Sequence, residues 1–94
     1  MKLYSVHCGY YDNDVCSGTY EFHVNYFVAA ENFEQARTKT KQLPEYKLKR
    51  MHVDGIEEIE VVDGMRVTLL EDPDYAGKTL VTNHRHRDLA PKTN

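Results

Sequence analysis

Thr19-Tyr20-Glu21-Phe22-His23-Val24-Asn25-Tyr26-Phe27-Val28-Ala29-Ala30 alternates between two kinds of side chain. Tyr20, Phe22, Val24, Tyr26 and Val28 share one parity, and Glu21, His23, Asn25 and Phe27 share the other. Successive strand side chains point to opposite faces, so the stretch reads as a half-buried β-strand with one aromatic-aliphatic face and one largely polar face. Upstream, Tyr4, Val6, Cys8 and Tyr10 alternate with Leu3, Ser5, His7 and Gly9 in the same way. Between the two runs, Asp12-Asn13-Asp14 and Ser17-Gly18 supply turn chemistry. An antiparallel pairing that keeps the apolar faces together requires paired residue numbers with an even sum. A sum near 30 sets Tyr4 opposite Tyr26, Val6 opposite Val24 and His7 opposite His23.

After Ala30 the period changes. Asn32 followed by Gln35 reads as an N-cap with its capping-box partner, and Phe33, Ala36, Thr40 and Leu43 then fall on one helical stripe. Pro44 is expected to end this helix, because the residue before a proline avoids the α region. Glu45 to Arg50 is read as a basic connection. Further on, Ile59 and Val61 alternate with Glu58 and Glu60, Asp63-Gly64 marks a turn, and Met65, Val67 and Leu69 alternate with Arg66 and Thr68. A three-residue loop, Val62-Asp63-Gly64, gathers the apolar groups and sets Glu60 against Arg66, and is the register expected here.

The fold class expected is α+β: a ββαββ order giving a four-stranded, mainly antiparallel sheet with one helix packed on a face. Residues 1–72 make the domain. Residues 73–94 form a C-terminal extension, with a short edge strand over Lys78 to Thr82 and a mobile tail from His84-Arg85-His86-Arg87 onward.

A chain of 94 residues buries about two-thirds of its unfolded surface, so its core is modest. A charged fraction of 29% and a mean hydropathy of −0.68 place it among ordinary soluble globular chains rather than membrane proteins. The N-terminus has no long apolar run, and a cytoplasmic location is expected. Cys8 and Cys16 have no metal-binding CxxC spacing and are read as free thiols.

Net charge −3 argues against nucleic-acid binding, which needs a surplus of Lys and Arg. The charge is nevertheless segregated. From Arg37 to Arg50, six basic residues face one acid, a balance of +5; from Asp54 to Asp74, eight acids face Arg66, a balance of −7. Such polarity suits a complementary self-contact, an intramolecular helix-to-sheet attraction, or simply two solvated faces. A helix is about 10 Å wide, while four strands at about 4.8 Å span close to 19 Å, so one helix leaves apolar sheet uncovered. A homodimer is expected on that ground.

Lys2-Leu3-Tyr4 with Gly9-Tyr10, Glu21-x-His23 followed by Phe27-Val28-Ala29, Ala36 in the helix, and His52-Val53-Asp54 before an acidic hairpin form a pattern. It resembles a small uncharacterised bacterial family, domain of unknown function 1543, over roughly residues 1–72. The resemblance implies a small bacterial α+β protein and brings no catalytic residues with it.

The candidate ligand-binding residues are His7, Glu21, His23, His52 and Asp54. Residues i and i+2 share a strand face, so Glu21 with His23, and His52 with Asp54, each project two titratable groups one way. Two histidines and two carboxylates suffice to hold a divalent metal, to make a general acid–base pair, or to hydrogen-bond as half-exposed sheet residues. The sequence alone assigns no cofactor and no metal. It contains no Gly-x-Ser-x-Gly, phosphate-binding glycine loop or His-Glu-x-x-His. Its leading functional reading is a self-associating binding or interaction domain, with a small metal- or ligand-dependent enzyme as the alternative.

Overall fold

A computed structural model describes residues 1–85 and Arg87. The elements run β1 (Lys2–Tyr11), β2 (Glu21–Ala30), α1 (Phe33–Lys41), α2 (Pro44–Leu48), β3 (His52–Glu58), β4 (Val61–Val62) and β5 (Met65–Arg66). Strands β1, β2 and β3 form an antiparallel sheet in the order β2-β1-β3, and α1 packs on one face. The class is therefore α+β. The sheet holds three strands rather than four, because β4 and β5 pair only with each other in a separate ribbon.

β1 and β2 pair over their full lengths, from Lys2 opposite Ala30 to Tyr11 opposite Glu21. Paired numbers sum to 32 rather than 30, which corrects the expected register by two residues. Tyr4 lies opposite Val28, Val6 opposite Tyr26, and His7 opposite Asn25 instead of His23. Both registers keep the apolar faces together, since the side-chain period of two fixes only parity. The observed one leaves no residue of either strand unpaired and stacks Tyr10 on Phe22 at 5.4 Å between ring centroids. The turn joining the strands passes through three consecutive left-handed residues, Cys16, Ser17 and Gly18.

The apolar face carries the core: Tyr4, Val6 and Cys8 from β1, Ala30 from β2, Ala36 from α1 and Met51 are buried. Helix α1 can approach closely because it presents Ala36 and Thr40 to the sheet, and the buried Thr40 hydroxyl donates to the Ala36 carbonyl at 2.9 Å. The cap forms as the sequence indicates. Asn32 Oδ1 accepts from the Gln35 amide at 2.8 Å, and Gln35 Oε1 accepts from the Glu31 amide at 2.7 Å, satisfying two otherwise free donors. Pro44 does end α1, with Leu43 extended, and it also opens α2 where a plain connection was expected. Proline is well suited to a first helical position, where its missing N–H is not needed.

In the β4–β5 ribbon, Val61 pairs with Arg66 and Val62 with Met65 around a two-residue Asp63-Gly64 loop with φ of 52° and 77°. This corrects the three-residue loop. The expected register sorted apolar groups onto one face, but Val61, Val62 and Met65 are all exposed. With no core to bury them, face sorting gains nothing, and a turn whose two left-handed residues match the strand twist sets the register. Lys78 to Thr82, expected as an edge strand, is irregular. The expected tail beyond Arg87 lies outside the described residues, as does His86. Among the described residues no helix is long and apolar enough to cross a membrane.

Candidate functional site

The face of the sheet opposite α1 is organised around Gly9. In the central strand this residue pairs with His23 of β2 on one side and His52 of β3 on the other. Lacking a side chain, Gly9 leaves a hollow between two flanking imidazoles. A Cβ placed on Gly9 would lie 2.6 Å from His52 Nε2 and 2.9 Å from Asp54 Oδ2, and would also collide with Glu21 Oε1. A glycine inside a strand commonly marks such a close approach.

Asp54 reaches this hollow because β3 is bulged. Val53 pairs with Cys8 and Gly55 with His7, so Asp54 is the extra residue between them. The bulge holds His52 and Asp54 together on the polar face while Val53 and Ile56 both pack against the core. Strict alternation could not do this, since 53 and 56 have opposite parity.

Four polar groups from the two outer strands therefore meet over the central one. His52 Nε2 lies 2.9 Å from Glu21 Oε1 and 3.1 Å from Asp54 Oδ1. His23 Nε2 lies 3.2 Å from the same Glu21 oxygen and 3.5 Å from Asp54 Oδ2. Both rings present Nε2. The side chains remain 31–44% exposed, so the cluster is open to solvent. Tyr11 donates its hydroxyl to Glu21 Oε2 at 3.2 Å, which leaves Oε1 for the cluster. The His52 hydrogen bond, then that from Tyr11 and the charge of the nearby His23, hold the Glu21 carboxyl below its ordinary range despite partial desolvation. The same Glu21 contact pushes the Tyr11 phenol up.

Of the five candidates read from the sequence, Glu21, His23, His52 and Asp54 converge. His7 is a neighbour. Its ring stacks on His23 at 4.9 Å between centroids and 7° between planes, and its Nδ1 is 2.7 Å from Asn25 Oδ1. A nitrogen of His7 does lie within 4.8 Å of ligand atoms on His23 and Asp54. The imidazole lone pair lies in the ring plane, however, so two parallel stacked rings direct their lone pairs side by side rather than at one point. Gly9 and Tyr11 are site residues that the sequence reading did not single out. The available signal was that Gly9 is the one glycine in the alternating part of β1, on the polar parity.

Cys8 faces the core, and burial first, then the Asp54 charge, pushes its thiol up, so it stays a neutral thiol. No family model, curated protein or solved structure matches this chain. The resemblance to domain of unknown function 1543 accordingly rests on the motifs quoted for it.

Proposed function

We propose that this protein binds a single divalent transition-metal ion of the zinc class through Glu21, His52 and Asp54. One observation carries the reading: ligand atoms of Glu21, His52 and Asp54 lie within 4.8 Å of one another over the side-chain-free position Gly9. Zinc–nitrogen and zinc–oxygen bonds of about 2.0–2.2 Å in a tetrahedron require ligand atoms about 3.3–3.6 Å apart. His52 Nε2 lies 2.9 Å from Glu21 Oε1 and 3.1 Å from Asp54 Oδ1, within a small outward shift of that frame, and a water or exogenous ligand would take the fourth position. Hydrogen bonding alone accounts for less of the arrangement. An Nε2 carries at most one hydrogen, aimed at one acceptor, yet each Nε2 approaches two carboxylates. A central cation engages the Glu21, His52 and Asp54 lone pairs at once, with His23 beside them.

The mixed nitrogen and oxygen donor set suits zinc or a neighbouring first-row ion better than calcium, which takes six to eight oxygens. Tyr11 acts as an outer-shell group, orienting Glu21. The two free thiols agree with a reducing, cytoplasmic setting.

Calorimetric titration with zinc, with cobalt(II) absorption as the geometric readout, tests the proposal. The expected result is one ion per chain and the intense visible bands of tetrahedral cobalt. Glu21→Ala, His52→Ala and Gly9→Ala should each weaken binding by more than the roughly 100-fold that an outer-shell change produces. Gly9→Ala should keep its fold, because the atoms it displaces are the ends of side chains. Absence of stoichiometric binding, or binding indifferent to all three variants, would overturn the assignment.

A further inference from the structure

On the polar face, residues of β1 set up rows that cross all three strands. The row of Gly9 holds His23 and His52, the next holds His7 between Asn25 and Gly55, and the one beyond holds Ser5 between Phe27 and Glu57. Gly55 has no side chain and Ser5 a short one, so the two outer rows are hollow. Nothing lies within 4 Å of where a Gly55 Cβ would stand. A cleft of about 430 Å³ opens there, with Asp54 at the end nearest Gly9 and Glu57 toward the other. His7 and Asn25 line its β2 side, and among the described residues no lysine or arginine lines it.

His23 stands where this cleft meets the proposed ion site. Its ring stacks on His7 at 4.9 Å between centroids, and His7 is held in turn by Asn25, whose Oδ1 lies 2.7 Å from His7 Nδ1. The His23 Nε2 lies 3.2 Å from Glu21 Oε1 and 3.5 Å from Asp54 Oδ2. Carboxylate oxygens only accept, so this nitrogen carries a hydrogen. Glu21, His52 and Asp54 supply three ligands where a zinc-class ion takes four, which is the pattern of a site that keeps one position for an outside molecule. His52 approaches the two carboxylates from β3 and His23 from β2. A fourth ligand arriving from the cleft therefore meets the His23 N–H.

We infer that this fourth position receives a small carboxylate. One carboxylate oxygen binds the ion, the other accepts from His23 Nε2–H, and the rest of the molecule lies in the cleft. The inference rests on the metal-site reading given above. Charge restricts the ligand further. Glu21 and Asp54 together offset a divalent ion, so one more negative charge completes the shell, whereas a second at the far end meets Glu57. A cationic far end suits Glu57, which lies three residues beyond Asp54, about 10 Å along the strand. The ligand class is thus a short amino-carboxylate with its two charges at opposite ends.

Titration of the cobalt(II)-loaded full chain with acetate, 4-aminobutyrate and glutarate, followed by visible absorption, tests this inference. Acetate should shift the cobalt bands saturably in the wild-type chain. His23→Leu should still take up one cobalt ion but bind acetate about 10–100-fold more weakly, the range for a lost hydrogen bond to a charged group. His23→Gln, whose amide N–H replaces the lost donor, should bind acetate near the wild-type affinity. 4-Aminobutyrate should bind more tightly than glutarate, which has the same spacer and a second carboxylate, and Glu57→Gln should narrow that gap. Failure of the wild-type chain to take up cobalt overturns the metal-site reading and this inference with it. Cobalt uptake with bands that acetate leaves unchanged overturns this inference alone. So does an unaltered acetate affinity in His23→Leu, or glutarate binding as tight as that of 4-aminobutyrate.

Discussion

The two faces of the β2-β1-β3 sheet are built by the same strands and do opposite things. On the helix side, Tyr4, Val6 and Cys8 sit in consecutive same-parity positions of β1 and are buried under α1. On the other side the intervening positions carry His7 and Gly9, and β2 and β3 bring Glu21, His23, His52 and Asp54 around them. Burial of apolar area is non-directional, so the core face tolerates more than one register. The polar face does not, because the short contacts among Glu21, His23, His52 and Asp54 need one particular register. The comparison teaches that packing energy selects which face is inside, while the register and the bulge decide whether the outer face is a site.

The largest expected effect comes from breaking the core face alone. Val6→Ala removes a fully buried side chain and should cost about 2 kcal/mol in denaturant unfolding while zinc stoichiometry stays at one ion per chain. Loss of the ion in a still-folded Val6→Ala protein would show that the two faces are not separable.

An intermediate effect is expected on the polar face from Tyr11→Phe, which removes the hydroxyl that holds Glu21 Oε2. Zinc affinity should fall by about 10–100-fold, with little change in apoprotein stability because Tyr11 is exposed. An unchanged affinity would remove Tyr11 from the outer shell.

The smallest effect is expected away from both faces. Asn32→Ala deletes the α1 cap and should cost about 1 kcal/mol. For a domain of this size that lowers the melting temperature by about 4–8 °C. Zinc binding should be untouched, since α1 carries none of the residues proposed to hold the ion.

Much of this was legible in the residues. The alternation from Tyr20 to Val28 identifies a strand and sorts its side chains, and Asn32 with Gln35 marks the start of the helix, although Gln35 reaches back to the Glu31 amide rather than to that of Asn32. Glu21 and His23 follow as same-face neighbours without any tertiary knowledge. The meeting with His52 and Asp54 was less accessible. It needs β3 to lie on the far side of β1, and it needs a bulge whose only trace is the odd spacing of Val53 and Ile56. The hairpin register was misjudged for a related reason: sorting Val61 and Met65 onto one face presumes a core that the ribbon does not touch.

The sequence by itself determined whatever depends on neighbours along the chain: strand faces, the helix cap, the break at Pro44 and the Asp63-Gly64 turn. These are fixed by local sterics and hydrogen bonds within a few residues. The tertiary structure alone decided the two-residue shift that places Gly9 rather than His7 opposite His23, the order β2-β1-β3, and the meeting of Glu21, His52 and Asp54 over one glycine. A side-chain period of two specifies parity, not register, and only the competition among long-range pairings selects one even sum from the next.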